Sequence, residues 1–223
     1  DLHYPLRRQR QMCIRDRNKA CQKKELNLEE LLTASSLNLT EKQIIKADAY
    51  IDQILKWNKT RNLVSRKLTK NDLAEHFLDC AALQKLLKTG SVIDLGSGPG
   101  FPGICLAIID PKRKITLVDS NRKKTTFLTL VKNELELNSV IVRNERVEHI
   151  NRINDENIVC RAFKEPEELV KGLKDKITKR NKITLMVSRE SPVSFSGFDT
   201  KYTKSEASDI LGKKRGFLEI QKS

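Results

Sequence analysis

"DLGSGPGFPG", residues 94–103, sets four glycines and two prolines in ten positions directly behind the apolar pair Val92-Ile93. A turn so poor in side chains lets backbone amides come close to a ligand, and between a strand and a helix that ligand is a phosphate or a nucleotide-like cofactor. Two readings fail on the residues. A P-loop needs Lys-Ser/Thr after its second glycine, and none stands there. A dinucleotide fingerprint counted from Gly96 and Gly98 meets Phe101 at its third glycine, where helix and strand must pack tightly.

The third reading is S-adenosyl-L-methionine, which carries a carboxylate, an ammonium and a sulfonium but no pyrophosphate. Asp94 organises the turn near the cationic end of such a cofactor, and Gly96, Gly98 and Gly100 admit backbone amides to its aminoacyl part. Asp119 ends the next apolar run, where a carboxylate accepts the hydroxyls of a ribose. The plainer alternative makes Asp94 a turn cap and Asp119 the cap of a helix starting near Asn121. That helix opens with Arg122, Lys123 and Lys124, the wrong sign for the positive end of a helix dipole. Such a conflict either marks a rim that meets phosphates or reflects solvated surface cations.

Outward from the turn, short apolar runs alternate with amphipathic helices. Strands are predicted at 91–95, 114–119, 139–145, 157–163 and 182–188, with helices at 103–109, 121–137 and 166–177. This alternation predicts an α/β, Rossmann-like fold with a mostly parallel sheet and helices on both faces; with S-adenosyl-L-methionine on the glycine turn, that fold is the methyltransferase one. The tail from Glu190 is weakly patterned, with a last strand at "GFLEIQ" and an antiparallel edge. Before Gly90 the spacing is helical. Thr40 three places before Gln43 forms a capping box, and Ile44, Ile45, Ile51, Ile54 and Leu55 form an apolar stripe. A second helix is predicted from Asp72 to Leu87. The expected organisation is a non-native or disordered basic segment over 1–24, a small N-terminal helical unit over 25–89, and a methyltransferase domain over 90–223, shortened or divergent towards its C-terminus.

The 223 residues carry a net charge of +14, which favours a polyanionic partner. Residues 1–24 hold eight of the Lys/Arg without helical or strand period, and read as an upstream read-through or, alternatively, a basic RNA-binding arm. No run of about 18 apolar residues is present, so no membrane span is expected. The five cysteines show neither CxxC pairs nor framework spacing, which points to a reducing, cytoplasmic setting and no metal. Cys160 ends a predicted strand and reads as a buried small hydrophobe rather than a pyrimidine-attacking nucleophile.

Six segments, "LKWNKTRNLVS", "EHFLDCAAL", "VIDLGSGPGFPGICLAI", "LVDSNRKKTTFL", "NERVEHI" and "CRAF", occur in the order and spacing of one family. Over about Leu37 to Phe163 the chain resembles the glucose-inhibited division protein B family, bacterial methyltransferases of small-subunit ribosomal RNA that act on guanine N7. The resemblance implies cofactor contacts at Gly96, Phe101, Val147, Glu148 and Arg161, beside Asp94, Gly98 and Asp119 from the turn itself. It implies Arg161 as an orienting residue facing the transferred methyl; the plainer alternative makes Arg161 a salt-bridge anchor for Asp79 or Glu148. It also implies ribosomal RNA or the small ribosomal subunit as substrate. The chain departs from the family at Cys160, where Ser is usual, and at "MVSRESP", where the fifth strand usually runs into Leu-Lys-Gly.

His76 and Asp79 are three apart on one predicted helix face, and His76 reads as structural, with a role in ordering Arg161 or the substrate as the alternative. Trp57 is expected to pack the helical unit on the sheet, and Asn62 is a candidate to touch cofactor or RNA. Guanine N7 offers a lone pair and no proton, so its methylation needs position and no general base. This suits a chain without an evident catalytic dyad. The alternatives are a methyltransferase of a small molecule or protein, and a non-catalytic RNA-binding relative. A monomer is expected, since no apolar stripe is left unassigned.

Overall fold

A computed structural model describes residues 27–161, 163–188 and 193–223. The expectations for residues 1–24 lie outside the described residues.

Three helices lead the chain: α1 (Leu28–Ala34), α2 (Glu41–Arg61) and α3 (Lys70–Ala82), each opened by a capping box. In each box the cap side chain accepts the N–H three residues on, and that residue's side chain accepts the cap's own N–H, so two otherwise orphaned donors are satisfied. Thr40 and Gln43 do this for α2 as predicted. For α3 the cap is Thr69 with Asp72 as its partner, so the helix starts earlier than predicted. It gives way at Leu83 to a 3₁₀ turn. Ile44 and Leu55 are half-buried and Ile51 and Ile54 buried, but Ile45 is 60% exposed. The buried face of α2 runs instead through Ala47, Tyr50, Ile51 and Ile54.

The rest alternates: β1 (Val92–Leu95), α4 (Gly103–Ile109), β2 (Ile115–Asp119), α5 (Arg122–Glu134), β3 (Val140–Asn144), β4 (Asn157–Arg161), α6 (Pro166–Leu173), β5 (Lys182–Val187), β6 (Phe198–Lys204), α7 (Ala207–Leu211) and β7 (Gly216–Lys222). The sheet order is β3-β2-β1-β4-β5-β7-β6. The first five strands are parallel, and β7 runs antiparallel between β5 and β6. The predicted tail strand is therefore real but internal, and the antiparallel edge is β6. "FDTKYTK" carries too little apolar alternation to announce that strand.

Two predicted helices end early for local reasons. Glu136, just past α5, adopts the left-handed conformation, which ends a helix. After α6 the N–H of Lys176 bonds the carbonyl of Leu173 in a tight turn. Strand β4 stops at Arg161 rather than Phe163, freeing Phe163 and Lys164 to turn over the sheet end.

Apolar residues pack on both faces. One cluster joins α1 to α5 with Val92, Ile115 and Val159 of the sheet, so the leading helices share a core with the strands. The other sets Ile93, Leu95, Ile158 and Ile183 against Leu169, Val170 and Leu173 of α6. Trp57 reaches Phe127 of α5 with ring centroids 5.5 Å apart, so it docks α2 on a helix and not on the sheet. The strand order reverses between β1 and β4, and in open parallel sheets a ligand crevice lies there, outside the carboxyl ends of the strands.

Candidate active site

The turn after β1 is held by the strand beside it. The N–H groups of Gly96 and Ser97 both bond the carbonyl of Val118, and Ser97 Oγ accepts the Val118 N–H. Asp119 then ties the turn to α5. Its Oδ2 accepts the Gly98 N–H at 2.9 Å, and its Oδ1 accepts the Asn121 N–H at 2.8 Å. Asn121 caps α5 by accepting from Lys123. A carboxylate thus sits at the positive end of α5 after all, with Lys124 Nζ at 3.8 Å, and this offsets the run of cations that opens the helix.

Gly96 (φ +72°), Gly98 (φ +58°) and Gly100 (φ +111°) adopt backbone conformations that side chains oppose. At Gly96 space is also the constraint, since an added Cβ would lie 2.2 Å from the Phe163 ring. At Gly98 an added Cβ would meet nothing closer than a carbonyl at 3.9 Å.

Asp94 lies beneath this turn. It is fully buried, and its Oδ2 accepts the Gly103 N–H at 2.9 Å, which anchors the first turn of α4. Its Oδ1 is buried without a hydrogen bond. Burial, and then the Asp119 charge, pushes the carboxyl up to about 7, although the Gly103 N–H pulls the other way.

A cavity of about 220 Å³ opens beside the turn, lined by Gly96, Asp119, Val147, Glu148, Phe163 and Lys164 with Val118, Ser120, Glu145 and Arg146. Four of the predicted site residues meet here. Glu148 is exposed and bridged by Lys164 Nζ at 3.1 Å, and Lys164 also reaches Glu168 at 2.6 Å. A second, larger cleft of about 470 Å³ lies over the ends of β4 and β5, with Asp79, Cys160, Arg161, Lys164, Met186 and Arg215 in its wall. Lys164 stands in the walls of both.

Arg161, at the end of β4, belongs to the second cleft. Its Nη2 lies 2.7 Å from His76 Nδ1, and its guanidinium sits 5.6 Å over the Phe101 ring. Phe101 is 6% exposed and edges on His76 and Tyr50, so it supports Arg161 from below and lines neither cavity. Burial, followed by the Arg161 and Arg215 charges, holds His76 down at about 4. Neutral at pH 7, its Nδ1 can accept from the guanidinium. Neither Asp79 nor Glu148 is ion-paired to Arg161. Asp79 pairs with Arg215, Nε to Oδ2 2.9 Å. Asn62 ends α2 in a left-handed conformation and accepts from Arg66 Nε, away from either cavity. Cys160 is buried, which pushes its thiol up to about 12, so it offers no thiolate nucleophile at neutral pH.

Sequence reasoning missed Arg215 and the position of Phe163. Arg215 reaches Asp79 from 136 positions further along the chain, and no local pattern announces the pair.

The residues fit an adenosine-and-methionine cofactor on two observations: open space over Gly98, and an acid at the end of β2 tied to the turn with a cavity beside it. Fold and turn together define the Rossmann-like methyltransferase class. A solved structure of a MtNAS mutant in complex with S-adenosylmethionine is similar in fold, with TM-score 0.56 at 16% identity over 82% of this chain and 72% of that one. The glycopeptide N-methyltransferase MtfA, complexed with S-adenosyl-L-methionine, gives TM-score 0.53 at 10% identity over 66% and 87%.

Residues 43–215 match the family GidB, rRNA small subunit methyltransferase G, and the chain belongs to that family. The Ribosomal RNA small subunit methyltransferase G of Francisella philomiragia is 36% identical over 159 residues, 71% of this chain and 78% of that protein. Its counterpart in Francisella tularensis is 35% identical over 163 residues, 73% and 79%. The family match runs past Phe163 to Arg215, further than the motifs alone reach, so it takes in β5, β6 and α7.

Proposed function

We propose that this protein transfers a methyl group from S-adenosyl-L-methionine to N7 of a guanine in small-subunit (16S) ribosomal RNA. The observation that carries the reading is the pair of cavities meeting at Lys164 where the strand order reverses, one beside the glycine turn and one over β4 and β5. Family membership and the relatives named as ribosomal RNA small subunit methyltransferases support the substrate.

Bound in the smaller cavity, the cofactor supplies an electrophilic methyl. Asp119 would accept the ribose hydroxyls, and Val147 and Glu148 would border the base. Gly96 and Gly98, whose own N–H groups bond Val118 and Asp119, would let the cofactor lie close against the backbone. Phe101 and Asp94 act from behind, one bracing Arg161 and the other anchoring the turn. Arg161 faces the larger cleft, where it would orient the guanine. Its pairing with a neutral His76 leaves its charge intact, and a pre-oriented donor costs little reorganisation when the reaction occurs.

Exposed Arg122, Lys123, Arg143 and Arg146 lie near the strand ends and suit phosphate contacts, which position RNA without reading its sequence. The exposed large apolar side chains among the described residues, Ile45 and Ile141, lie on separate elements, which supports a monomer. Among the described residues no helix is long and apolar enough to cross a membrane. The reading puts the protein's work in the cytoplasm, with its ribosomal substrate.

The test incubates the full chain with labelled S-adenosylmethionine and unmodified bacterial small subunits or their extracted RNA, then identifies methylated nucleosides by mass. Labelled 7-methylguanosine, absent for Asp119→Ala, is expected. Label on another nucleoside, or none with cofactor bound, contradicts the assignment.

A further inference from the structure

The floor of the larger cleft carries a negative group that the transfer reaction does not explain. Asp79 projects from α3 into that cleft at 4% exposure. Arg215 Nε sits 2.9 Å from its Oδ2 but without hydrogen-bond alignment, so the contact is an ion pair that leaves the lone pairs poorly used. Among the described residues no hydrogen bond reaches its Oδ1. One turn earlier on the same helix His76 holds Arg161 of β4, so the cleft wall carries both a guanidinium and a carboxylate fixed from α3.

A carboxylate kept out of water in the binding cleft of a polyanion repels phosphate, so its partner there must be a hydrogen-bond donor or a cation. Of the parts of an RNA strand, an unstacked base edge provides donors. Guanine presents N1–H and N2–H side by side, matching the two oxygens of one carboxylate, whereas adenine and cytosine each present a single amino group next to an acceptor. O6, between N7 and N1, is an acceptor and suits the neighbouring Arg161. The reaction adds a second reason. The N7 lone pair forms the new C–N bond as the sulfur takes back the C–S pair; no proton moves, and the positive charge passes from sulfur to the purine. A fixed anion against that purine is stabilising as the charge arrives. Glu165 and Glu167 also border the cleft, but both are exposed to solvent.

Resting on the guanine-N7 reading above, we infer that Asp79 is the guanine-recognising residue of this enzyme, accepting N1–H and N2–H of the target base, and that Arg215 positions it.

The experiment compares the wild type, Asp79→Asn and Asp79→Glu on RNA carrying, at the guanine that the wild type labels, either guanosine or inosine. Inosine keeps N1–H and lacks the N2 amino group. The wild type should lose about tenfold or more in kcat/KM on inosine, the scale of one hydrogen bond to a charged acceptor. Asp79→Asn should fall about a hundredfold on guanosine and treat the two bases alike, with the affinity for S-adenosylmethionine by calorimetry unchanged. Asp79→Glu, which restores the charge, should regain part of the preference. A wild type indifferent to inosine, or an Asp79→Asn protein that keeps the wild-type ratio, overturns the inference. If Asp79→Asn fails to fold, the wild-type ratio and that of Asp79→Glu decide. A wild type that labels no RNA removes the guanine-N7 reading and this inference with it, a result distinct from loss of preference alone.

Discussion

The two cavities at the carboxyl ends of the strands are assembled in opposite ways. Around the smaller one, Gly96, Asp119 and Val147 each lie at or just past the end of their own strand, and the turn is fixed by N–H hydrogen bonds to a neighbouring carbonyl and carboxylate. The larger cleft is held by side chains that cross the fold: His76 to Arg161, 85 positions apart, and Asp79 to Arg215. Backbone geometry therefore governs the first, and side chains that partner buried charges govern the second. Substitutions at the first should fail by collision and strain, and at the second by leaving a partner charged, buried and alone.

The largest effect is expected at Gly96. Alanine there combines a left-handed backbone with a Cβ 2.2 Å from the Phe163 ring. Overpacking and strain together should cost ~3 kcal/mol or more in urea unfolding and strip S-adenosylmethionine affinity in calorimetry. Near-wild-type binding by Gly96→Ala would mean that Phe163 yields freely, and the contrast between the cavities would lose its basis.

Next comes the pair in the cleft. Arg215→Ala leaves Asp79 buried without its partner and should destabilise the fold by ~2 to 3 kcal/mol, somewhat below the range for fully buried pairs because Arg215 is 23% exposed. An Asp79→Leu, Arg215→Met double variant should recover most of that loss, since no lone charge remains. Additive losses would show that the two side chains do not act as a pair.

A third prediction returns to the turn. The Asp94 carboxyl sits at about 7 in the folded protein against 3.8 when free, so between those values the folded state holds the extra proton. Its contribution to stability is therefore fully present below pH 4 and is lost as pH rises towards 7. At roughly 1.4 kcal/mol per unit, the stability of the wild type relative to Asp94→Asn should shrink by ~2 kcal/mol between pH 5 and pH 8 in parallel urea titrations. A constant difference would mean that Asp94 stays ionised in the fold.

The same contrast explains what the sequence disclosed. The glycine turn, the two acids Asp94 and Asp119 and the alternation of strands and helices are local patterns, and each emerges close to where it was read. Phe101 belongs to the motif by position, yet its ring turns away from the smaller cavity to brace Arg161, because side-chain direction depends on packing with Tyr50 and His76. Arg161 was legible as a site residue, whereas His76 was legible as its orienting partner only as the alternative to a structural role: the imidazole comes from a helix six elements earlier, and Asp79 and Glu148 are the ion-pair partners the sequence offers. Strand β6 escaped because its exposed edge needs no apolar alternation.

The most direct test of the two-cavity account measures cofactor affinity and methyl transfer in the same preparations of Asp119→Ala and Arg161→Ala. The account predicts that Asp119→Ala loses affinity for S-adenosylmethionine and transfer together, and that Arg161→Ala keeps its affinity within about threefold, under 1 kcal/mol, while transfer to RNA falls at least a hundredfold. Equal loss of cofactor affinity in both variants would contradict it, and would make the two cavities one cofactor site.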